Sequence, residues 1–422
     1  MTTSKTLSGE REVIEPRLSE HIPALDAVRG LAILLVLVFH FSSYGHGLPP
    51  AGVFADRIFH VISRAGWVGV DLFFVLSGFL ITGILYDSKA SVHYFRNFYA
   101  RRVLRIFPVY YGSLVVFLVV LPHLFPDNDG LRALQSDGFW YWTYLSNVRI
   151  AHDGWPLFGA LGHFWSLAVE EQFYVVWPVV VLLCTRSQLI QIGLFCIGGS
   201  LVARVGLTLT GHQTAAFVLT PARMDALAVG AILALTARGP TGVNGIARLA
   251  SPAAGLLSLV LVAISLWRGG LASYDPVIST IGHTLLACLF GAVLVLALTS
   301  PRHTFPGRMF SSSLLRFFGR YSYALYVFHH PILFFTPGLL PLGWVPTFFG
   351  SLLLKKFVFI ISATAFSVVL ALISWHLYET QFLKLKRLFP YQSGEAEASP
   401  FQAESAAVCS QTPLAKVSEP GS

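Results

Sequence analysis

Apolar residues in this chain gather into runs of about twenty, the length needed to cross a hydrocarbon core roughly 30 Å thick. Ten runs are read, over residues 23–44, 67–87, 103–123, 163–184, 188–206, 221–237, 251–267, 278–299, 320–337 and 349–378. The pattern predicts an all-α, polytopic transmembrane helical bundle of about ten spans. The run at 221–237 is short and rich in Ala and Gly, which places it among other helices, where small side chains permit close packing. The run TLLACLFGAVLVLAL, within 278–299, reads as facing lipid over much of its circumference.

Charge gives the bundle a direction. Lys89, Arg96, Arg101, Arg102 and Arg105 gather around the start of the third run, and Arg302, Arg308, Arg316 and Arg320 before the ninth. The segment 124–162, opposite them, carries Asp127, Asp129, Asp137 and Asp153. The positive-inside rule then puts both termini in the cytoplasm of a multi-pass protein of the inner (plasma) membrane. Residues 1–20 read as a flexible cytoplasmic N-terminus, 21–388 as one transmembrane domain, and 389–422 as a disordered cytoplasmic tail with no second folded module.

Composition adds exclusions. Charged residues make up 12% of the chain, against about a quarter in soluble domains, so a soluble enzyme is excluded. The net charge of +8 follows from the cytoplasmic basic residues and calls for no nucleic-acid partner. The first run lacks a small-residue cleavage site and leads into further spans, so it is no signal peptide. Cys184, Cys196, Cys288 and Cys409 have neither disulfide nor metal spacing, and no metal is expected.

Ionisable residues inside spans are costly, which makes each one a candidate for function. AVRGLAILLVLVFHF (27–41) carries Arg29 and His40 eleven steps apart, on one helical stripe and about 16 Å along the axis. In ARRVLRIFP, Arg105 lies four residues after Arg101 and three after Arg102, so the cluster can face one way. Asp71 and Ser77 sit in GWVGVDLFFVLSGFL. His163 and Glu170, in GHFWSLAVEEQFY, are seven apart and so share a face, and Glu170 comes out level with His40. Plainer roles compete: the arginines as anchors to lipid phosphates, Glu170 and Glu171 as packing partners, Asp71 on its helix dipole, and Ser77 bonded to its own helix. Taken together, an inner cationic layer suits a phosphate-bearing ligand, and an outer His–Glu layer suits removal of a proton from a hydroxyl.

At these residues the sequence resembles the acyltransferase-3 family of integral-membrane O-acyltransferases. LDAVRGLAILLVLVFH, GWVGVDLFFVLSGFLITGIL, FYARRVLRIFPVYY and FWSLAVEEQFYVVWP match family landmarks in order, and RMDALAVGAILA and YSYALYVFHHPIL match later, looser ones. The resemblance covers about residues 22–385. His330 stands where the family usually has tryptophan before Pro331, and the esterase-like domain that some members carry fused at the C-terminus is missing.

The resemblance implies transfer of an acyl group, usually acetyl, from a cytoplasmic acyl-CoA co-substrate to a hydroxyl. The acceptor would be a carbohydrate on a surface or exported glycan, or a glycosylated metabolite such as a macrolide. No cofactor would be permanently bound, and membrane lipid surrounds the bundle. His40 would be the base and Glu170 its orienting partner. Arg29, Arg101, Arg102 and Arg105 would bind the donor, with Asp26 paired to Arg29. Asp71, Ser77, His163, Glu171, Arg223, Asp225 and His329 would support the site. A secondary transporter or flippase for a lipid-linked sugar or acidic solute is the alternative, although no repeat relates the two halves.

Overall fold

The computed structural model describes residues 22–43, 53–156, 159–240, 242–339, 345–347 and 351–391. The N-terminal segment 1–20 and residues 392–422 of the expected tail lie outside the described residues. Every regular element described is helical. Nine helices among the described residues are long and apolar enough to cross a membrane: Pro23–Ser42, Phe54–Asp87, Tyr94–Leu124, Gly159–Leu183, Arg186–Leu209, Gln213–Ala237, Asn244–Arg268, Ile278–Thr299 and Leu353–Leu388.

The main helices are α1 (Pro23–Ser43), α2 (Gly69–Asp87), α3 (Tyr94–Val115), α4 (Trp165–Leu183), α5 (Arg186–Leu209), α6 (Thr220–Ala237), α7 (Asn244–Arg268), α8 (His283–Thr299), α9 (Ser313–Arg320), α10 (Ser322–Leu339) and α11 (Leu353–Ser374). The tenth expected run, 320–337, is α10, which is not one of the nine. Tyr323, Tyr326, His329 and His330 occupy it, and these polar side chains keep its apolarity below that of its neighbours.

Two close crossings organise the bundle. At Gly78 of α2 a Cβ would collide with the Leu227 carbonyl, and at Gly230 of α6 with the Val75 carbonyl. Small residues let these backbones touch, as the Ala/Gly pattern of α6 predicts. The second crossing joins α1 to the short helix α9. A Cβ at Gly30 would strike the Leu315 carbonyl, and one at Gly319 the Asp26 carbonyl. The backbone that carries Asp26 and Arg29 is therefore clamped from outside.

Around these crossings α4 packs on α2, α5 and α8 on α6, and α10 on α11. Among the spanning helices, α5 and α7 turn the largest share of their residues outward, with Leu194, Phe195 and Leu209 on α5 and Leu256, Leu259 and Leu266 on α7 exposed. The run within 278–299, expected to face lipid, is instead half buried. It packs against α2, α6 and α7 through Leu286, Ala287, Phe290, Gly291 and Leu294, whose small and branched side chains fit between neighbours as readily as into lipid.

Candidate active site

A charged chamber lies where α1, α2, α3, α4 and α10 meet. It holds about 120 Å³, space for about four waters at ~30 Å³ each. Arg29 enters from α1, Ser77 from α2, Arg102 and Arg105 from α3, Glu170, Glu171 and Tyr174 from α4, and Tyr323 and Tyr326 from α10. Helical spacing brings these groups together: Arg102 and Arg105 are three apart, and Glu170 and Tyr174 four apart, so each pair projects from one face.

Contacts inside the chamber are specific. Arg29 Nη1 donates to Asp26 Oδ1 at 2.6 Å while the same side chain lines the cavity. Ser77 Oγ and the Tyr174 hydroxyl are hydrogen-bonded at 2.5 Å, so Ser77 crosses to another helix instead of bonding its own. Tyr323 donates its hydroxyl proton to the Ile106 carbonyl at 2.8 Å. The Arg102 guanidinium lies 5.7 Å from the Tyr174 ring centroid and 5.9 Å from that of Phe98, and its buried Nε has no hydrogen-bond partner among the described residues.

Not all of the arginine triplet reaches this chamber. Arg101 Nη1 donates to the carbonyls of Lys386 at 3.1 Å and Phe389 at 3.0 Å, and its guanidinium stacks 4.5 Å from the Tyr391 ring centroid. The expectation that Arg101 joins Arg102 and Arg105 in one donor site is thus corrected. Adjacent helical residues diverge by about 100°, so Arg101 and Arg102 cannot face the same way, and the bundle turns Arg102 inward.

Beyond the chamber four histidines converge. The His40 ring centroid lies 4.9 Å from that of His329 and 4.8 Å from that of His330. His163 lies 5.0 Å from each of those two. His329 is fully buried, and its Nδ1 sits 2.8 Å from the Tyr326 carbonyl and 3.1 Å from that of Leu325. A carbonyl cannot donate, so this nitrogen carries the proton and His329 Nε2 presents a lone pair. His40 Nδ1 lies 3.0 Å from the Val36 carbonyl and 3.2 Å from His329 Nε2. Two acceptors around it mean that Nδ1 of neutral His40 is the protonated nitrogen. The lone pair of His40 is then on Nε2.

The sequence expectation that Glu170 orients His40 is also corrected. His329 and the Val36 carbonyl hold the ring, whereas Glu170 lines the chamber beside the Tyr174 and Ser77 hydroxyls and the Arg102 charge. His163 ends a 3₁₀ segment, Gly159–Phe164, that leads into α4, and it stays on the α10 side with Glu170: its ring centroid lies 5.3 Å from that of Tyr326, which lines the chamber with Glu170. What separates the two is their distance along the axis, about 10 Å for seven residues. Chamber and cluster still touch through two residues that line the chamber, Tyr326 and Ser166. Their hydroxyls are hydrogen-bonded to each other at 2.5 Å and lie 3.0 and 3.3 Å from the His163 carbonyl, respectively.

A separate buried layer takes up the remaining expected residues. Arg223 Nη2 donates to Asp71 Oδ1 at 2.6 Å, and Arg204 Nη2 lies 2.8 Å from Asp225 Oδ2, all four side chains being fully or almost fully buried. Arg223 Nη1 lies 2.6 Å from His283 Nδ1, and Thr284 Oγ1 donates to Asp225 at 2.9 Å. Asp71 therefore pairs across helices instead of serving its own helix end. These pairs tie α2, α5, α6 and α8 together, and none of the four charged residues lines the chamber. Arg204 and His283 were not expected, although each is an ionisable residue within an apolar run and so was detectable. Tyr174, Tyr326 and Ser166 give no such signal, since hydroxyl residues are common in spans and their partners lie far away in sequence.

Fold and site together define a multi-pass helical membrane protein that encloses a charged chamber beside a histidine cluster. The chain belongs to the acyltransferase-3 family, whose acyltransferase domain matches residues 22–376. Peptidoglycan O-acetyltransferase OatA of Listeria monocytogenes is 27% identical over 377 residues, covering 83% of this chain and 55% of that protein. YrhL of Bacillus subtilis, named for the same activity, is 27% identical over 381 residues, covering 85% and 54%. A Staphylococcus aureus protein named as an O-acetyltransferase is 26% identical over 388 residues, covering 86% and 58%. The chain thus spans somewhat more than half the length of these relatives. No solved structure matches it.

Proposed function

We propose that this protein moves an acyl group, most simply acetyl, from a cytoplasmic acyl-CoA to a hydroxyl of a carbohydrate on a surface or exported glycan. The observation that carries this reading is the His40 ring, with its Nδ1 proton committed to acceptors and its Nε2 lone pair left for an acceptor hydroxyl. Family membership supplies the reaction class, and relatives named for peptidoglycan support a cell-wall sugar as acceptor. Basic residues at the start of α3 support a cytoplasmic placement for that end of the bundle.

In this mechanism His40 Nε2 takes the proton of the acceptor hydroxyl as its oxygen adds to the thioester carbonyl. The tetrahedral adduct collapses, the C–S bond breaks, and the imidazolium returns its proton to the departing thiolate. Atoms and charge balance to give an ester and free coenzyme thiol. His329 Nε2, accepting from His40 Nδ1, holds the ring in the reactive tautomer. Arg29, Arg102 and Arg105 supply the cations for the phosphates of the donor. Glu170 and Glu171 lie in the field of these arginines and offset part of their charge.

Mass spectrometry of the host's surface glycans, with wild-type and His40→Ala protein present at equal level in the membrane, tests this reading. The expected result is loss of one ester-linked acyl group, because positioned acid–base groups contribute roughly 10²–10⁴-fold in rate. Unchanged acylation in the variant would remove His40 from the mechanism.

A further inference from the structure

The C-terminal part of the described chain crosses the end of α3 where the arginine triplet lies. Asn97 Nδ2 donates to the Pro390 carbonyl at 2.7 Å, and Arg101 donates to the Lys386 and Phe389 carbonyls. Arg96 adds a contact 5.8 Å from the Phe389 ring centroid, and Arg101 stacks on Tyr391. Three side chains of α3 thus hold residues 386–391 against the helix as a strap. The strap contributes one side chain of its own to the charged region, that of Lys386.

Lys386 is placed among like charges. Its half-buried ammonium lies within the fields of Arg105, Arg102, Arg101 and Arg29. Its Nζ makes no hydrogen bond or ion pair among the described residues. Carboxylates do lie near the arginines, with Glu379 and Asp26 facing Arg105, and Glu170 and Glu171 facing Arg102. Asp26 is already bonded to Arg29 and Glu379 to Ser374. Like charges crowded in this way repel, and a polyanion placed among them converts the repulsion into attraction.

We infer that Lys386 is a donor-binding residue, forming with Arg102 and Arg105 a site for the phosphate groups of the acyl donor, and that Arg101 is a positioning residue that fastens the strap delivering it. The inference rests on the acyl-CoA reading above for the identity of the donor, but the anion site follows from the charges alone. Arg101 is spent on backbone carbonyls, which explains why one arginine of the triplet faces away from the chamber. A flexible ammonium on the strap suits a phosphate held between strap and helix, where the planar guanidinium forks of Arg102 and Arg105 face it.

The test uses the full chain in lipid nanodiscs and measures binding of coenzyme A and of inorganic pyrophosphate, alongside initial rates with acetyl-CoA. Lys386→Ala is expected to weaken both ligands roughly tenfold and to raise KM for acetyl-CoA by a similar factor, with kcat changed far less. Lys386→Arg is expected to restore most of the affinity. Arg101→Ala is expected to weaken both ligands through loss of the strap, and to make the bond after Lys386 more readily cut by trypsin. Wild-type affinity in folded Lys386→Ala protein overturns the inference, as does failure of the wild type to bind either anion. If wild-type protein binds pyrophosphate in a Lys386-dependent way but ignores coenzyme A, the anion site stands and the donor reading fails.

Discussion

Two groups of arginines lie within this bundle, and they differ in what neutralises them. Arg223 and Arg204 are fully buried, and each meets a buried carboxylate on another helix, at 2.6 and 2.8 Å. Arg102 and Arg105 line a cavity; the charges of Glu170, Glu171, Glu379 and Asp26 reach them, yet neither forms an ion pair with a carboxylate among the described residues as Arg223 and Arg204 do. Single buried atoms without a hydrogen bond occur in both groups, Arg223 Nε and Asp71 Oδ2 in the first and Arg102 Nε in the second, so the difference lies in the ion pairs. The first group has its charges paired by the protein, and its role is to join helices. The second is left without direct partners, as expected of groups that await a ligand. Burial of an arginine in a membrane span therefore points to function only when its partner is absent from the fold.

Breaking the closed group has the largest expected effect. Arg223→Ala strands Asp71 without its partner, and loss of one member of a buried pair costs about 3–5 kcal/mol. Little folded protein is expected on size-exclusion chromatography in detergent. The paired change Asp71→Leu with Arg223→Leu should recover much of the folded yield, because apolar replacement of both partners removes the stranded charge. A well-folded, fully active Arg223→Ala protein would erase the distinction between the two groups.

Opening the second group further affects binding instead of folding. Arg102→Gln is expected to leave the melting temperature within a few degrees of wild type while raising KM for acetyl-CoA at least tenfold, since hydrogen bonds to charged groups contribute about 1.5–3 kcal/mol. Collapse of the protein would place Arg102 with the structural pairs. The smallest effect is expected at the contact between chamber and histidines. Tyr326→Phe removes one of the two hydroxyls that reach the His163 carbonyl, leaving that of Ser166, a loss worth about 1 kcal/mol, and kcat should fall only a few-fold in a single-turnover assay.

Local pattern made much of this legible. The runs of apolar residues fell on all nine spanning helices, but only those at 23–44, 163–184, 188–206 and 278–299 matched both ends within a few residues. Those at 103–123, 221–237, 251–267 and 349–378 each stopped well short at one end, and the second spanning helix was covered only in part. That one begins at Phe54, because the amphipathic helix Phe54–Arg64 continues into α2 through a 3₁₀ turn at Ala65–Val68. The Ala and Gly content of α6 anticipated its tight crossing with α2. Arg29 and His40 were expected on one stripe of one helix, and α1 runs unbroken through both.

What fell short were inferences that read a shared helix face as contact, or that chose among adjacent residues. His163 and Glu170 lie about 10 Å apart along the axis, so one joins the histidines and the other lines the chamber. Among Arg101, Arg102 and Arg105, spacing allowed two different pairs to share a face, and only the strap at residues 386–391 decided between them.

By itself the sequence determined that this chain is a helical membrane protein and which side chains are too costly to be there without reason. Both follow from transfer energies, which are properties of single residues and short windows. Only the tertiary structure decided which of those costs are met inside the fold. Asp71 found Arg223, Ser77 found Tyr174 and His40 found His329 across separations of 97 to 289 residues. Such pairings depend on how the helices pack, and no local pattern encodes them.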